Sequence, residues 1–147
     1  MALRCSVAVV LVMLSSAPAL SQTQGAGRIK AVTGVAAIVR GGQTSTAMVG
    51  AVVYEQDRIA TGADGHVGLT LRDDTRLSIG PNSTVDLNRF LYEPATSQFG
   101  FVLKVVQGVV AYVSGRIAKL RPDAVRLETP SAIVGVRGTR LVIRVGR

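Results

Sequence analysis

Val67-Gly-Leu-Thr-Leu-Arg-Asp-Asp-Thr-Arg-Leu-Ser-Ile79 decides the fold. Val67, Leu69 and Leu71 alternate with Gly68, Thr70 and Arg72, the period of two that a half-buried strand requires. Asp73-Asp74 stands where the chain has to reverse, and aspartate both tolerates a left-handed backbone and hydrogen-bonds its own turn. Leu77 and Ile79 then alternate back. The segment predicts a β-hairpin whose buried face is Leu69, Leu71, Leu77 and Ile79.

The same grammar extends in both directions. Upstream, Thr61-Gly-Ala-Asp-Gly65 is a turn cluster, and Gly41-Gly42 marks another turn. Ile29 and Ala31 alternate with Arg28 and Lys30. Val35, Ala37 and Val39 alternate with Ala36, Ile38 and Arg40. Residues 46–53 read as a third strand, interrupted by Gly50. Downstream, Gly80-Pro-Asn-Ser83 turns the chain into a strand that starts with Val85 and Leu87. Residues 99–113 are the most apolar run. Phe99, Phe101, Leu103 and Val105 share one parity and Val102, Val106, Val110 and Tyr112 the other, which predicts a central strand buried on both faces. Its valines favour strand over helix, and Gly108 is expected to split it or to form a bulge. Val125 and Leu127 form a short strand that Pro130 ends. In the final stretch, Gly135 and Gly138 bracket Val136 and Arg137. Leu141, Ile143 and Val145 then share one face of a last strand, with Arg140 and Arg144 on the other. No amphipathic helix is expected. The fold class is all-β, with sandwich- or barrel-like antiparallel sheets built from hairpins and preceded by an N-terminal signal peptide.

The chain has 147 residues and a formal charge of +8, which suits one domain with a sizeable core. Residues 1–21 read as a secretory signal: Arg4, an uncharged apolar run from Val7 to Leu14, a break at residues 15–18, and small residues at Ala19 and Ser21, with a cut before Gln22. The apolar run is shorter than the ~20 residues a membrane span needs. Residues 22–26 form a flexible leader and residues 27–147 the β domain. Cys5, the single cysteine, leaves with the signal, so the exported chain has no disulfide and relies on its core. Its 16 Lys and Arg against nine acidic residues give +7, which suits an acidic envelope protein or an anionic envelope polymer. Membrane contact is expected to be peripheral only.

The residues offer little chemistry. His66 stands alone in a turn, and acid–base work needs a positioned partner. Asp57, Asp64, Asp73 and Asp74 are turn residues without the spacing of a calcium loop. Glu55 with Asp57, or Asp86 with a neighbouring acid, could flank a sugar as a glycosidase pair. This keeps a carbohydrate-active or other envelope enzyme as the alternative reading. No catalytic, cofactor-binding or metal residue is assigned, no cofactor is expected, and no binding residue or oligomeric state follows. Basic residues gather in the last third (Arg116, Lys119, Arg121, Arg126, Arg137, Arg140, Arg144, Arg147), but Tyr112 is the only aromatic after Phe101. The stacking platforms of a nucleic-acid groove are therefore missing. Arg140 and Arg144 can guard a strand edge. Arg137, between its glycines, is expected to tie its loop by hydrogen bonds to backbone carbonyls. Asn82-Ser-Thr84 matches a glycosylation triplet, which the turn already explains.

Three segments occur together and in order: Asp57-Arg-Ile-Ala-Thr-Gly62; Leu69-Thr-Leu-Arg-Asp-Asp-Thr-Arg-Leu-Ser-Ile-Gly-Pro-Asn-Ser83; and Thr129-Pro-Ser-Ala-Ile-Val-Gly-Val-Arg-Gly-Thr-Arg-Leu-Val-Ile143. With Val106-Gln-Gly-Val-Val-Ala-Tyr-Val113 between them, they resemble the FecR domain over roughly residues 50–145. That family shows G-D-x-I-x-T-G, a L-x-L-x-D-G-S/T-x-L-x-L-G-P-x-S hairpin, L-x-x-G-x-x-x-V, and T-P-x-A-x-x-G-V-R-G-T-x-F-x-V. Asp74 and Gln56 replace glycines of the pattern, and Leu141 replaces its phenylalanine. FecR regulators also carry an anti-sigma segment and a membrane helix, for which this sequence has no counterpart, so contact with a sigma factor is not carried over. The resemblance implies a stand-alone, periplasmic or secreted, non-catalytic module for binding, sensing or signalling.

Overall fold

A computed structural model describes residues 23–138 and 140–146. The signal segment over residues 1–21 and its cut before Gln22 lie outside the described residues. Among those described, no helix is long and apolar enough to cross a membrane. The described residues form a mostly antiparallel β-structure curled into a half-barrel. Its strands are β1 (Gly27–Thr33), β2 (Ala36–Arg40), β3 (Gln43–Thr46), β4 (Val52–Val53), β5 (Arg58–Thr61), β6 (His66–Leu71), β7 (Arg76–Ile79), β8 (Thr84–Glu93), β9 (Gln98–Val113), β10 (Val125–Glu128), β11 (Ile133–Gly135) and β12 (Arg140–Val145). One short helix, α1 (Arg116–Leu120), was not foreseen. It carries the chain back from the end of β9 so that β10 pairs with β9 in parallel, a pairing that a tight hairpin cannot make.

The hairpin forms as expected. Val67 pairs with Ile79 and Leu69 with Leu77, and Leu69, Leu71, Leu77 and Ile79 are all buried. Asp74 adopts the left-handed conformation, with φ 67°. Residues 46–53 differ from expectation. The strand ends at Thr46, Ala47 is buried, Gly50 turns with φ 88°, and only Val52–Val53 pairs again, with β1.

β9 organises the molecule. Its first half lies between β8 and β10, and its second half between β7 and β12. One strand therefore belongs to two half-sheets, β3-β2-β5-β8-β9-β10-β11 and β4-β1-β6-β7-β9-β12. This is the corner device of sheets that fold over on themselves. Both parities of β9 are apolar for a reason other than burial on two faces. Val105 pairs with Val85 and Gln107 with Thr84, so Val106 is a bulged extra residue. The bulge inverts the alternation: Phe101, Leu103 and Val105 face the core before it, and Val110 and Tyr112 after it. A bulge between Ile29 and Ala31 does the same to β1, which is why Ile29 is buried and Ala31 exposed.

The core is one cluster drawn from both half-sheets, including Ile29, Leu69, Leu77, Ile59, Leu87, Leu103 and Leu127. At its centre Phe101 packs edge-on against Phe90 at 6.3 Å and lies 6.0 Å from Tyr112. The Tyr112 hydroxyl is buried with no hydrogen-bond partner among the described residues. Burial first, and the charge of Asp73 second, push its phenol up from 10.0 to about 12. A folded-state value above the ordinary one contributes stability that is complete below pH 10 and disappears as pH rises toward 12. Tyr112→Phe should therefore melt close to wild type at pH 7, since the lost hydroxyl had no partner. It should also lose less stability than wild type between pH 10 and 12. Identical alkaline losses in the two proteins would refute this account.

Candidate functional site

The polar residues that stood out in the sequence are ties within the fold. Asp57 is wholly buried. It accepts hydrogen bonds from Arg40 Nε at 2.7 Å, Arg40 Nη2 at 2.6 Å and the Tyr54 amide at 2.8 Å. Arg40 also lies over the Tyr54 ring at 4.4 Å and donates to the Val52 carbonyl at 3.1 Å. The Asp57 carboxylate raises the Arg40 guanidinium above its ordinary pKa, chiefly through these hydrogen bonds. Asp73, also fully buried, accepts from the Thr75 hydroxyl at 2.7 Å, the Thr75 amide at 3.1 Å and the Ile117 amide at 3.3 Å. It thereby fastens α1 to the hairpin turn.

A third tie closes the corner at which β9 changes half-sheets. Thr61 Oγ1 donates to the Gly80 carbonyl at 2.7 Å and accepts from the Ser83 amide at 2.9 Å. Ser83 Oγ donates to the Pro81 carbonyl and accepts from the Val109 amide at 3.0 Å. Gly108, with φ 97°, passes directly against Ser83. Thr61-Gly62, Gly80-Pro-Asn-Ser83 and Gly108 come from three separate sequence motifs, and they converge on one joint.

The acids that a glycosidase would use are committed elsewhere. Glu55 accepts the Phe90 amide at 3.0 Å, Gln56 turns the backbone between Glu55 and Asp57 with φ 70°, and Asp86 pairs with Arg58 at 2.5 Å. His66 is exposed at the start of β6, and no group of three or more His, Cys, Asp or Glu side chains that could hold a metal occurs among the described residues. Asn82 sits in its turn with φ 50°. Arg137 does not tie its loop. It is exposed and makes no hydrogen bond among the described residues, while its neighbour Val136 is buried and joins the core. The loop is thus held by a hydrophobic plug, a role that its sequence position between glycines concealed.

What remains open is a strand edge. The Thr129 hydroxyl accepts the Ala132 amide at 3.0 Å, and the Thr129 amide donates to the Ala132 carbonyl at 2.8 Å. These bonds set the turn that brings β11 alongside β10. β11 pairs with nothing else among the described residues. Ile133 is 67% exposed and Val134 37%. Ile133 forms a wall of two hollows, one of about 560 Å³ against Lys104 and Glu128 and one of about 360 Å³ against Pro122, Val125 and Arg137. The other free edges differ. β3 is polar, β4 has two residues, and β12 carries Arg140 and Arg144.

The FecR protein family model matches residues 57–147. No curated protein and no solved structure matches the chain. The matched region begins at the buried Asp57, includes the hairpin and the Thr61–Ser83–Gly108 joint, and continues through β11 and β12. On a match covering more than half of its length, the chain belongs to the FecR family.

Proposed function

We propose that this protein is an exported, non-catalytic binding module for sensing or signalling at the bacterial envelope, and that it receives an extended segment of an envelope protein on the free edge of β11. The FecR family is a regulatory and signalling family, and the sequence of residues 1–21 supports export. The observation that carries the reading is the character of this edge. Natural sheets protect free edges with charges, proline or brevity. β11 is short, but residues 131–136 carry no charge, and its exposed Ile133 lies between two hollows. Strand addition uses this combination: backbone pairing supplies affinity, and hollows that accept alternate side chains supply specificity.

A photo-crosslinker placed at Ile133 in envelope extract tests the idea, with the same probe at Thr44 on β3 as reference. The expected product is a β11-specific adduct with an extended peptide, abolished by Gly135→Pro. The Thr129 amide bonds the Ala132 carbonyl, so by alternation Val134 pairs with Leu127 of β10 while the Gly135 amide faces the open edge, and proline there removes that donor without adding charge. Equal adducts from Thr44 and Ile133, or adducts that survive Gly135→Pro in a protein of unchanged melting temperature, would remove β11 as the docking edge.

A further inference from the structure

Charge is divided unequally between the two half-sheets. The half formed by β4, β1, β6, β7, the second half of β9 and β12 contains Arg28, Lys30, Arg76, Arg140 and Arg144 and not one acidic residue. The other half contains Asp86, Glu93 and Glu128, and two of its arginines are in ion pairs, Arg40 with Asp57 and Arg58 with Asp86. Among the described residues no ion pair involves a cation of the acid-free half. Asp74, in the turn at one end of that half, is paired with Arg116 at 3.1 Å. Asp64, in a turn at the other end, accepts the Val35 amide.

Strand register arranges these cations on the outer face. Arg28 stands opposite Thr70, Thr70 opposite Arg76, Arg76 opposite Val113 and Val113 opposite Arg140. Arg28, Arg76 and Arg140 therefore share one row across the sheet, each two strands from the next, about 10 Å apart. The adjacent row is Ala31, Gly68, Ser78, Ala111 and Val142, a floor of small side chains ending in one valine. Arg144, opposite Val109, stands on its far side with His66. The result is a shallow channel with a smooth floor, running across the strands, with three guanidinium groups along one side and that of Arg144 on the other. Arg28 donates one bond to the Gly50 carbonyl at 3.2 Å; guanidinium has further donors to spare.

We propose that this face binds an acidic polysaccharide, a chain of sugars bearing repeated carboxylates, laid along the small-residue floor. Evenly spaced guanidinium groups match repeated carboxylates, which they can grip with two parallel hydrogen bonds. The face lacks what other anionic partners exploit. Its only aromatic, Tyr112, points into the core, so it offers neither the stacking platform of a nucleic-acid site nor the aromatic anchors of a protein interface. On the strands of this face Val142 is the one large apolar side chain strongly exposed, while the exposed Met48 and Val49 lie in the turn before β4; anionic vesicles as a competing probe set a lipid surface against the polysaccharide. The proposal stands independently of β11.

The test is affinity electrophoresis and calorimetry of the exported chain with polygalacturonate at low salt. Dextran, anionic phospholipid vesicles and a polyglutamate peptide are the competing probes. Polygalacturonate should bind, dextran should not, and binding should weaken as salt rises, because the cations are exposed. Combining Arg28→Glu, Arg76→Glu and Arg140→Glu should lower polygalacturonate affinity about tenfold or more at unchanged melting temperature. Arg89→Glu on β8, Lys119→Glu and Arg121→Glu together change net charge equally and should stay within about twofold of wild type. No binding of polygalacturonate, equal binding of dextran, equal loss in the two triple variants, or tighter binding of vesicles or polyglutamate would each overturn the proposal. Neither triple variant alters β11, so failure here leaves the β11 reading intact.

Discussion

Arg40→Ala is expected to lower the stability of the domain by about 3 kcal/mol, a fall in melting temperature of roughly 10 °C for a chain of this size. Arg40 ends β2, Asp57 precedes β5, and the Val52 carbonyl that Arg40 also reaches opens β4, so one side chain joins three strands. The two partners are not equivalent. The Arg40 side chain is 51% exposed and that of Asp57 0%. Removing the arginine leaves a buried carboxylate with the Tyr54 amide as its remaining donor, and an uncompensated buried charge is the costly outcome. Two consequences separate this from a simple loss of packing. Adding Asp57→Leu to Arg40→Ala should recover part of the lost stability, because it removes the stranded charge. Arg58→Ala, which breaks the more exposed pair with Asp86, should cost under about 1 kcal/mol. If Arg40→Ala melted within about 2 °C of wild type, the tie would have no structural weight.

Gly108→Val should be the most damaging single change, costing at least about 3 kcal/mol and abolishing soluble expression or cooperative melting. Gly108 has φ 97°, which β-branched residues essentially do not adopt. A Cβ there would also lie 2.5 Å from Ser83 Cα, where backbone cannot yield. By contrast, Gly41, Gly42 and Gly50 also have positive φ, but a Cβ at any of them would meet nothing within 4 Å, so valine there meets strain without collision. Ser83→Ala keeps the space and removes the hydroxyl that accepts the Val109 amide and donates to Pro81, for a loss of roughly 1–3 kcal/mol. Thermal melts of the four proteins, wild type, Gly108→Val, Gly50→Val and Ser83→Ala, check the order. A Gly108→Val protein as stable as Gly50→Val would mean that the joint tolerates a side chain.

Much of the fold was legible because burial imposes a local period. The hairpin of β6 and β7, the left-handed Asp74, the short β10 and the inward Leu141 and Ile143 of β12 all follow from alternation and turn chemistry, which a few adjacent residues specify. Alternation failed where a bulge added one residue. In β9 the bulge at Val106 made a one-sided strand look buried on both faces, and in β1 the irregularity after Ile29 turned Ala31 outward. The Arg137 expectation failed similarly. The glycines announced a special backbone, but whether Arg137 or Val136 turned inward depended on the neighbouring core.

The candidate surfaces were less legible than the fold. That β11 is left without a second partner depends on the parallel docking of β10 on β9 through α1, and no periodicity predicts it. That Arg28, Arg76 and Arg140 share a row depends on registers among strands far apart in the chain. The amino-acid sequence by itself determined the β class, the hairpin, the family and the cationic excess, because composition, period and turn residues act over short distances along the chain. Only the tertiary structure decided that Asp57, Asp73 and Ser83 are ties, that the uncharged β11 has no second partner strand among the described residues, and that cations without an ion pair among those residues lie together on an acid-free face. Pairing partners and side-chain direction are settled by strand register, and register is a property of the closed sheet.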